Sequence, residues 1–218
     1  MKHIHSLLLL LILHFSCPAQ ELFEDRVDHF IDSLKASYGE NLRDSIWPHL
    51  RNDFPTYITQ ARFGNYTYID VHGDSIQLDD IHTPLFVQAT ASWCKPCKAE
   101  IPALNELAQK YENKVSFLLF THDAQKAALR LSAKLHENII VIPSEKNSFA
   151  TSIVKMETGN FKHILSFPTT YYTDKQRVIQ SVFRGGLIVT KDQTAEDIYN
   201  FTVQMISEKL DEILKDRE

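Results

Sequence analysis

Apolar residues recur at three- and four-residue steps early in the chain. Leu22, Phe23, Val27, Phe30, Ile31 and Leu34 line one face of a helix that should end near Gly39. A less regular stretch follows, with Ile46, Trp47, Leu50, Phe54, Tyr57 and Ile58 predicting further helix broken by Pro48 and Pro55. From Tyr66 the period drops to two. Tyr66, Tyr68 and Val71 are set against Thr67 and Asp70, a turn at His72–Asp74 follows, and Ile76 and Leu78 return, so a β-hairpin is expected. The run Leu85, Phe86, Val87 after Pro84 reads as a buried strand. It leads into a helix from about Pro96 to Tyr111, with Ile101, Leu104, Leu107 and Ala108 on one face.

A strand over 115–121, a helix over 124–136 and a short strand over 139–142 come next. The stretch 148–164 is expected to be a helix followed by a loop through Gly159 and Asn160. Residues 169–173 and 177–183 read as strands joined by a turn at Asp174 and Lys175. A long helix over 194–215 closes the chain, with Ile198, Phe201, Met205, Leu210 and Ile213 facing inward. Alternating strands and helices from Leu85 imply an α/β chain whose core sheet is parallel and covered on both faces. There are no internal repeats and no low-complexity tract.

Composition agrees with a globular chain: 218 residues, 44% hydrophobic and 23% charged, enough for one domain with an extension. The net charge of −5 is spread out and no Lys/Arg block tracks a phosphate backbone, so nucleic acid is not an expected partner. The first residues differ in kind. A short polar start, Met1 to His3, precedes the apolar run Leu7–Leu13 with Phe15, and Gln20, Glu21, Glu24 and Asp25 end it before the roughly 20 residues of a membrane span. This is the layout of a secretory signal peptide, with cleavage expected between Ala19 and Gln20. Acylation of Cys17 is the alternative, although His14 and Phe15 occupy places where a lipoprotein signal carries Leu and a small residue. On either reading the protein is exported to the periplasm or cell envelope, soluble after cleavage or lipid-anchored through Cys17.

Of the three cysteines Cys17 belongs to the leader, which leaves Cys94 and Cys97. A pair two residues apart, at the seam between a buried strand and a helix N-terminus, has a specific use. The unpaired N–H groups and the dipole of the helix end favour a thiolate. Cys94, ahead of the helix and more exposed, should attack; Cys97, one turn in and more buried, should resolve the mixed disulfide by attacking the Cys94 sulfur. Pro96 suits the first helical turn. Half a zinc site is the metal alternative, but it needs two more ligands, and His122, His136 and His163 do not pair at the usual spacing. An inert structural disulfide stays open on these residues alone.

The string Trp93-Cys94-Lys95-Pro96-Cys97-Lys98-Ala99-Glu100-Ile101-Pro102 resembles the thioredoxin superfamily, and within it the exported TlpA and ResA type of reductase. A second match is Phe167-Pro168-Thr169-Thr170, which looks like that family's cis-proline loop. The resemblance runs from about Tyr66 to the C-terminus. It implies a thioredoxin-like fold, a central mixed sheet flanked by helices with an N-terminal β-hairpin, to which the residue pattern adds a helical N-terminal extension. The expected division is 1–19 signal peptide, 20–62 extension and 63–218 thioredoxin-like domain. It further implies a redox disulfide between Cys94 and Cys97, with no cofactor and no metal. Trp93 would shield that disulfide, and Pro168 would present the Phe167 backbone, with Thr169 beside it, to an extended substrate peptide. Glu100 matches a family acid that could take the Cys97 proton; its plain alternative is an exposed helical carboxylate.

Departures from the pattern matter as well. Gln88 stands where thioredoxins place a buried Asp and cannot act as a base. Ala89 and Thr90 replace two aromatics of many relatives, and Lys95 between the cysteines favours the thiolate. The implied partners are disulfides of other exported proteins and a membrane-bound thiol electron donor. A disulfide oxidase is the alternative in the same class, since direction depends on reduction potential. A non-catalytic binding module is the alternative outside it. A peroxidase would carry Thr three residues before its cysteine, and Ala91 occupies that place.

Overall fold

The computed structural model describes residues 20–39, 46–147, 153–185 and 194–215; the expected leader and Cys17 lie outside them. Strands β3 (Leu85–Thr90), β4 (Ser116–Thr121), β5 (Ile139–Pro143), β9 (Thr169–Thr173) and β10 (Ile179–Arg184) form a sheet in the order β10-β9-β3-β4-β5. The β3–β4 and β4–β5 pairs are parallel, whereas β9 runs antiparallel to both β3 and β10, so the sheet is mixed. All six residues of β3 are buried, as a central strand covered on both faces requires. A two-stranded hairpin, β1 (Thr67–Ile69) with β2 (Ser75–Gln77), precedes it.

One face of the sheet carries α4 (Lys95–Lys110) and α6 (Ala195–Lys215), whose Leu104, Leu107, Ile206 and Leu210 share a core with Phe86 and Phe117. On α6 the inward stripe is Ile198, Thr202, Ile206, Leu210 and Ile213. Phe201, expected inward, is 43% exposed, and Met205 is half-buried. Thr202 takes the place that hydropathy alone assigns to a neighbour, because the helical step sets the face and a buried threonine fits the period. Helix α5 (Gln125–Ser132) ends one turn earlier than expected, where Asn105 binds both the Lys134 carbonyl and the His136 N–H.

The other face is covered by α1 (Phe23–Tyr38), α2 (Trp47–Asn52) and α3 (Phe54–Ile58). Pro48 and Pro55 each lie in the first turn of a short helix, where a missing N–H costs nothing. Phe23 has no exposed surface and its ring meets Phe63 at 4.7 Å, Phe161 at 5.5 Å and Tyr171 at 5.6 Å. The backbone joins too: Phe23 N–H donates to Arg62 at 2.9 Å, and Ile179 N–H of β10 donates to Ala61 at 2.8 Å, so residues 21–23 and 60–63 continue the sheet past β10. The helical extension therefore shares one core with the sheet.

The stretch expected as a helix and loop is instead a hairpin in its described part, β7 (Met156–Thr158) with β8 (Phe161–His163), joined to β6 (Lys146–Asn147). Met156, Thr158, Phe161 and His163 are buried while Glu157 and Lys162 are half-buried, which is period two. The turn relies on Gly159 at φ +55°, where a Cβ would stand 2.1 Å from the Tyr66 ring. This hairpin seats α1: Lys162 Nζ binds the Asp28 carboxylate at 2.6 and 2.7 Å, and Asn160 donates to Glu24 at 3.0 Å.

Candidate redox site

Cys94 is the N-cap of α4, and its Sγ accepts the Cys97 N–H at 3.2 Å. The two cysteines are joined by a disulfide, with Cα atoms 5.3 Å apart. A sulfur in this place meets the unpaired N–H groups of the first turn, the environment that stabilises a thiolate once the bond is reduced. Both residues are buried, Cys94 to 5% and Cys97 to 4% exposure, so the expected contrast between them is not seen in this oxidised state. The reason is the wall around them. Ala91 and Phe167 pack on the pair, and Trp93, 52% exposed, packs against Phe167 in turn.

The wall is aromatic. Trp93 lies edge-on to His122 and to Phe167, each at 5.7 Å between ring centres, and His122 meets Phe167 at 5.6 Å. The loop below Trp93 is pinned by Asp123, which accepts the Ser92 N–H at 2.7 Å, the Ser92 hydroxyl at 2.6 Å and the Thr121 hydroxyl at 2.6 Å. The Phe167–Pro168 peptide is cis and Pro168 is buried. The Thr169 hydroxyl donates to the Ser166 carbonyl at 2.7 Å, and the Pro168 carbonyl accepts the Gly185 N–H at 2.7 Å. The fold thus brings Trp93, Cys94, Cys97, Phe167, Pro168 and Thr169 to one place. Lys95 and Lys98 are exposed at its rim.

Glu100 lies one turn beyond Cys97 and is 4% exposed, which rules out the exposed-carboxylate alternative. Its Oε2 accepts from Gln88 Nε2 at 3.1 Å. Burial pushes its proton affinity up and the Gln88 hydrogen bond opposes it, leaving the carboxyl at a pKa of about 7. Two histidines that the sequence offers only as poor zinc ligands, His122 and His163, lie at this wall. His163 is fully buried beneath Phe167, 4.9 Å between rings, with its Nε2 3.2 Å from the Ser166 carbonyl and its Nδ1 3.3 Å from the Tyr171 hydroxyl. Burial holds its pKa down at about 3, so it is neutral at ordinary pH. The alternation Phe161–His163 carries the signal for its inward position. Among the described residues no three His, Cys, Asp or Glu side chains gather as a metal site, and no helix is long and apolar enough to cross a membrane.

Residues 54–199 match the model of the Redoxin family, about two thirds of the chain. The chain belongs to the Redoxin family. This Redoxin-family chain is 28% identical over 141 residues to the thiol-disulfide oxidoreductase ResA of Bacillus thuringiensis subsp. konkukian, covering 63% of this chain and 75% of that one. It is 28% identical over 150 residues to the thiol:disulfide interchange protein DsbE of Pseudomonas fluorescens biotype C, covering 66% and 77%. Among solved structures it is similar to a candidate thioredoxin from Neisseria meningitidis, with a TM-score of 0.51 at 14% identity over 71% of this chain and 91% of that one. The fold is thioredoxin-like, α/β with a mixed central sheet flanked by helices. The protein is an oxidoreductase of thiols and disulfides, of the ResA-like kind.

Proposed function

We propose that this chain is an exported enzyme that reduces or exchanges disulfides in other exported proteins through the Cys94/Cys97 dithiol. The observation that carries the reading is the placement of Cys94 as the N-cap of α4, bonded to Cys97 and packed against Phe167 of the cis-proline turn. In the reduced enzyme the Cys94 thiolate attacks one sulfur of a substrate disulfide. That bond breaks, a mixed disulfide forms, and the leaving thiolate takes up a proton. Cys97 then gives its proton to the Glu100 carboxylate and attacks the Cys94 sulfur. The second substrate thiol departs and the enzyme is left oxidised. Each cycle spends two electrons and two protons, which a membrane-bound thiol donor returns.

Trp93, Phe167, Pro168 and Thr169 form the substrate seat. Among the described residues no backbone hydrogen bond involves Phe167, which supports pairing of its main chain with an extended peptide. Export rests on the leader read in residues 1–19, ending either in cleavage after Ala19 or in a lipid on Cys17, and on likeness to ResA and DsbE. Residues 20–62 serve as a structural extension of the redox domain at 63–218.

A trapping experiment tests this reading. Cys97→Ala expressed with its leader should accumulate mixed disulfides between Cys94 and envelope proteins, resolved by mass spectrometry and lost in the Cys94→Ser, Cys97→Ala double variant. Adducts that form equally without Cys94, or none at all from a folded Cys97→Ala protein, would sink it.

A further inference from the structure

One helical turn on from Cys97 lies a polar cluster assembled from three elements. Gln88 on β3, Glu100 on α4 and Thr170 on β9 are 2%, 4% and 3% exposed. Gln88 Nε2 donates to Glu100 Oε2 at 3.1 Å and to Thr170 Oγ1 at 3.2 Å. An amide nitrogen has two hydrogens, and both are used here, so neither the carboxyl nor the amide is free to turn. A donor aimed at a buried carboxyl favours its ionised form, while burial favours the neutral one. The outcome at Glu100 depends on which influence is kept.

Gln88 is also cross-strand partner of Thr170, which follows the Phe167–Pro168 turn by two residues. Two further groups concern Glu100 among the described residues. On β9 the Tyr172 hydroxyl is buried and has no hydrogen-bond partner among the described residues, and on α4 Cys97 is in the disulfide. Helix α6 anchors to the far end of α4, through Ser207 to Lys110 and through Asp211 to Tyr111. Among the described residues no ion pair reaches Glu100.

We infer that Gln88 is the positioning residue for proton transfer at this site: its amide holds the Glu100 carboxylate ready to take the Cys97 proton and ties that acid to the strand bearing the substrate turn. The inference deepens the proposed function and rests on its reading of Glu100. It assigns a role to the residue that stands where thioredoxins carry an acid. Proton handling is moved one helix away, and the strand position supplies a donor in place of a base.

The test is carboxyl-carbon NMR titration of Glu100 in the oxidised protein, where no thiol titrates. The midpoint should lie near 7. In Gln88→Met, loss of one hydrogen bond to a charged group should raise it by about one pH unit or more. In the unsubstituted protein the Gln88 side-chain amide resonances should move with the same midpoint, a readout that survives if Gln88→Met fails to fold. The reduced Gln88→Met protein should show the same rise in the pH profile of product release, with a loss of about fivefold at neutral pH.

Two results overturn the inference in different ways. A Glu100 midpoint unchanged in folded Gln88→Met, or amide resonances flat across the titration, removes Gln88 and leaves the Glu100 reading standing. A shifted midpoint together with a Glu100→Gln protein that keeps the parent pH profile removes Glu100 from proton transfer, and the inference falls with it.

Discussion

At Glu100 burial and one amide hydrogen bond act on the same proton in opposite senses, and burial wins. The folded carboxyl titrates at about 7 against 4.5 when unperturbed, so between these values the folded chain keeps a proton that the unfolded chain has released. Stability from this group is intact below pH 4.5 and is lost as pH rises, with a full cost of roughly 3 kcal/mol above pH 7. His163 has the opposite sign. Its folded pKa of about 3 against 6.5 means that stability is intact above pH 6.5 and is lost as pH falls towards 3. From pH 4.5 to 6.5 the two slopes nearly cancel. Each substitution should therefore expose the other group. In urea unfolding across that window, Glu100→Gln should gain stability as pH rises and His163→Gln should lose it. Relative to the parent, Glu100→Gln should gain roughly 2 kcal/mol between about pH 5 and about pH 8. Parallel pH curves for parent and variants would contradict both assignments.

Between elements, the contact that matters most to the architecture is that of α1 with the β7–β8 hairpin and β9. The Asp28–Lys162 ion pair is half-exposed and worth at most about 1 kcal/mol. The Phe23 side chain, enclosed by Phe63, Phe161 and Tyr171, carries more. Phe23→Ala should cost about 3 to 5 kcal/mol. Because the extension and the sheet share a core, denaturant unfolding followed by near-ultraviolet signal and by thiol accessibility of the reduced protein should shift together. A variant in which the thiols stay protected while the aromatic signal is lost would show the extension to be separable.

How much of this was legible in the sequence depends on the distance between the residues involved. The helix and strand order from Leu85, the cysteine pair at the seam and the proline turn are carried by neighbours in the chain, and the sequence patterns registered them. The hydrogen bonds of Gln88 were not, because they reach partners 12 and 82 positions away. The hairpin at Met156–His163 was missed for another reason: two three-residue strands are too short to display their alternation against a glycine turn. The seat of α1 is likewise a tertiary fact. Its apolar face was plain, but the surface that receives it is built from the hairpin that the pattern hid.

At the scale of the whole molecule, a mixed sheet with helices on both faces holds a disulfide at one helix end, a buried carboxyl one turn along that helix and a cis-proline turn whose Phe167 packs on the disulfide. On the function proposed above, Cys94 initiates every turnover. Single-turnover reduction of insulin by the fully reduced protein tests this most directly. The parent should release insulin thiols and finish with Cys94 and Cys97 bonded to each other, whereas Cys94→Ser should release none and Cys97→Ser should stop at a mixed disulfide on Cys94. Insulin reduced by Cys94→Ser at the parent rate would contradict the assignment outright.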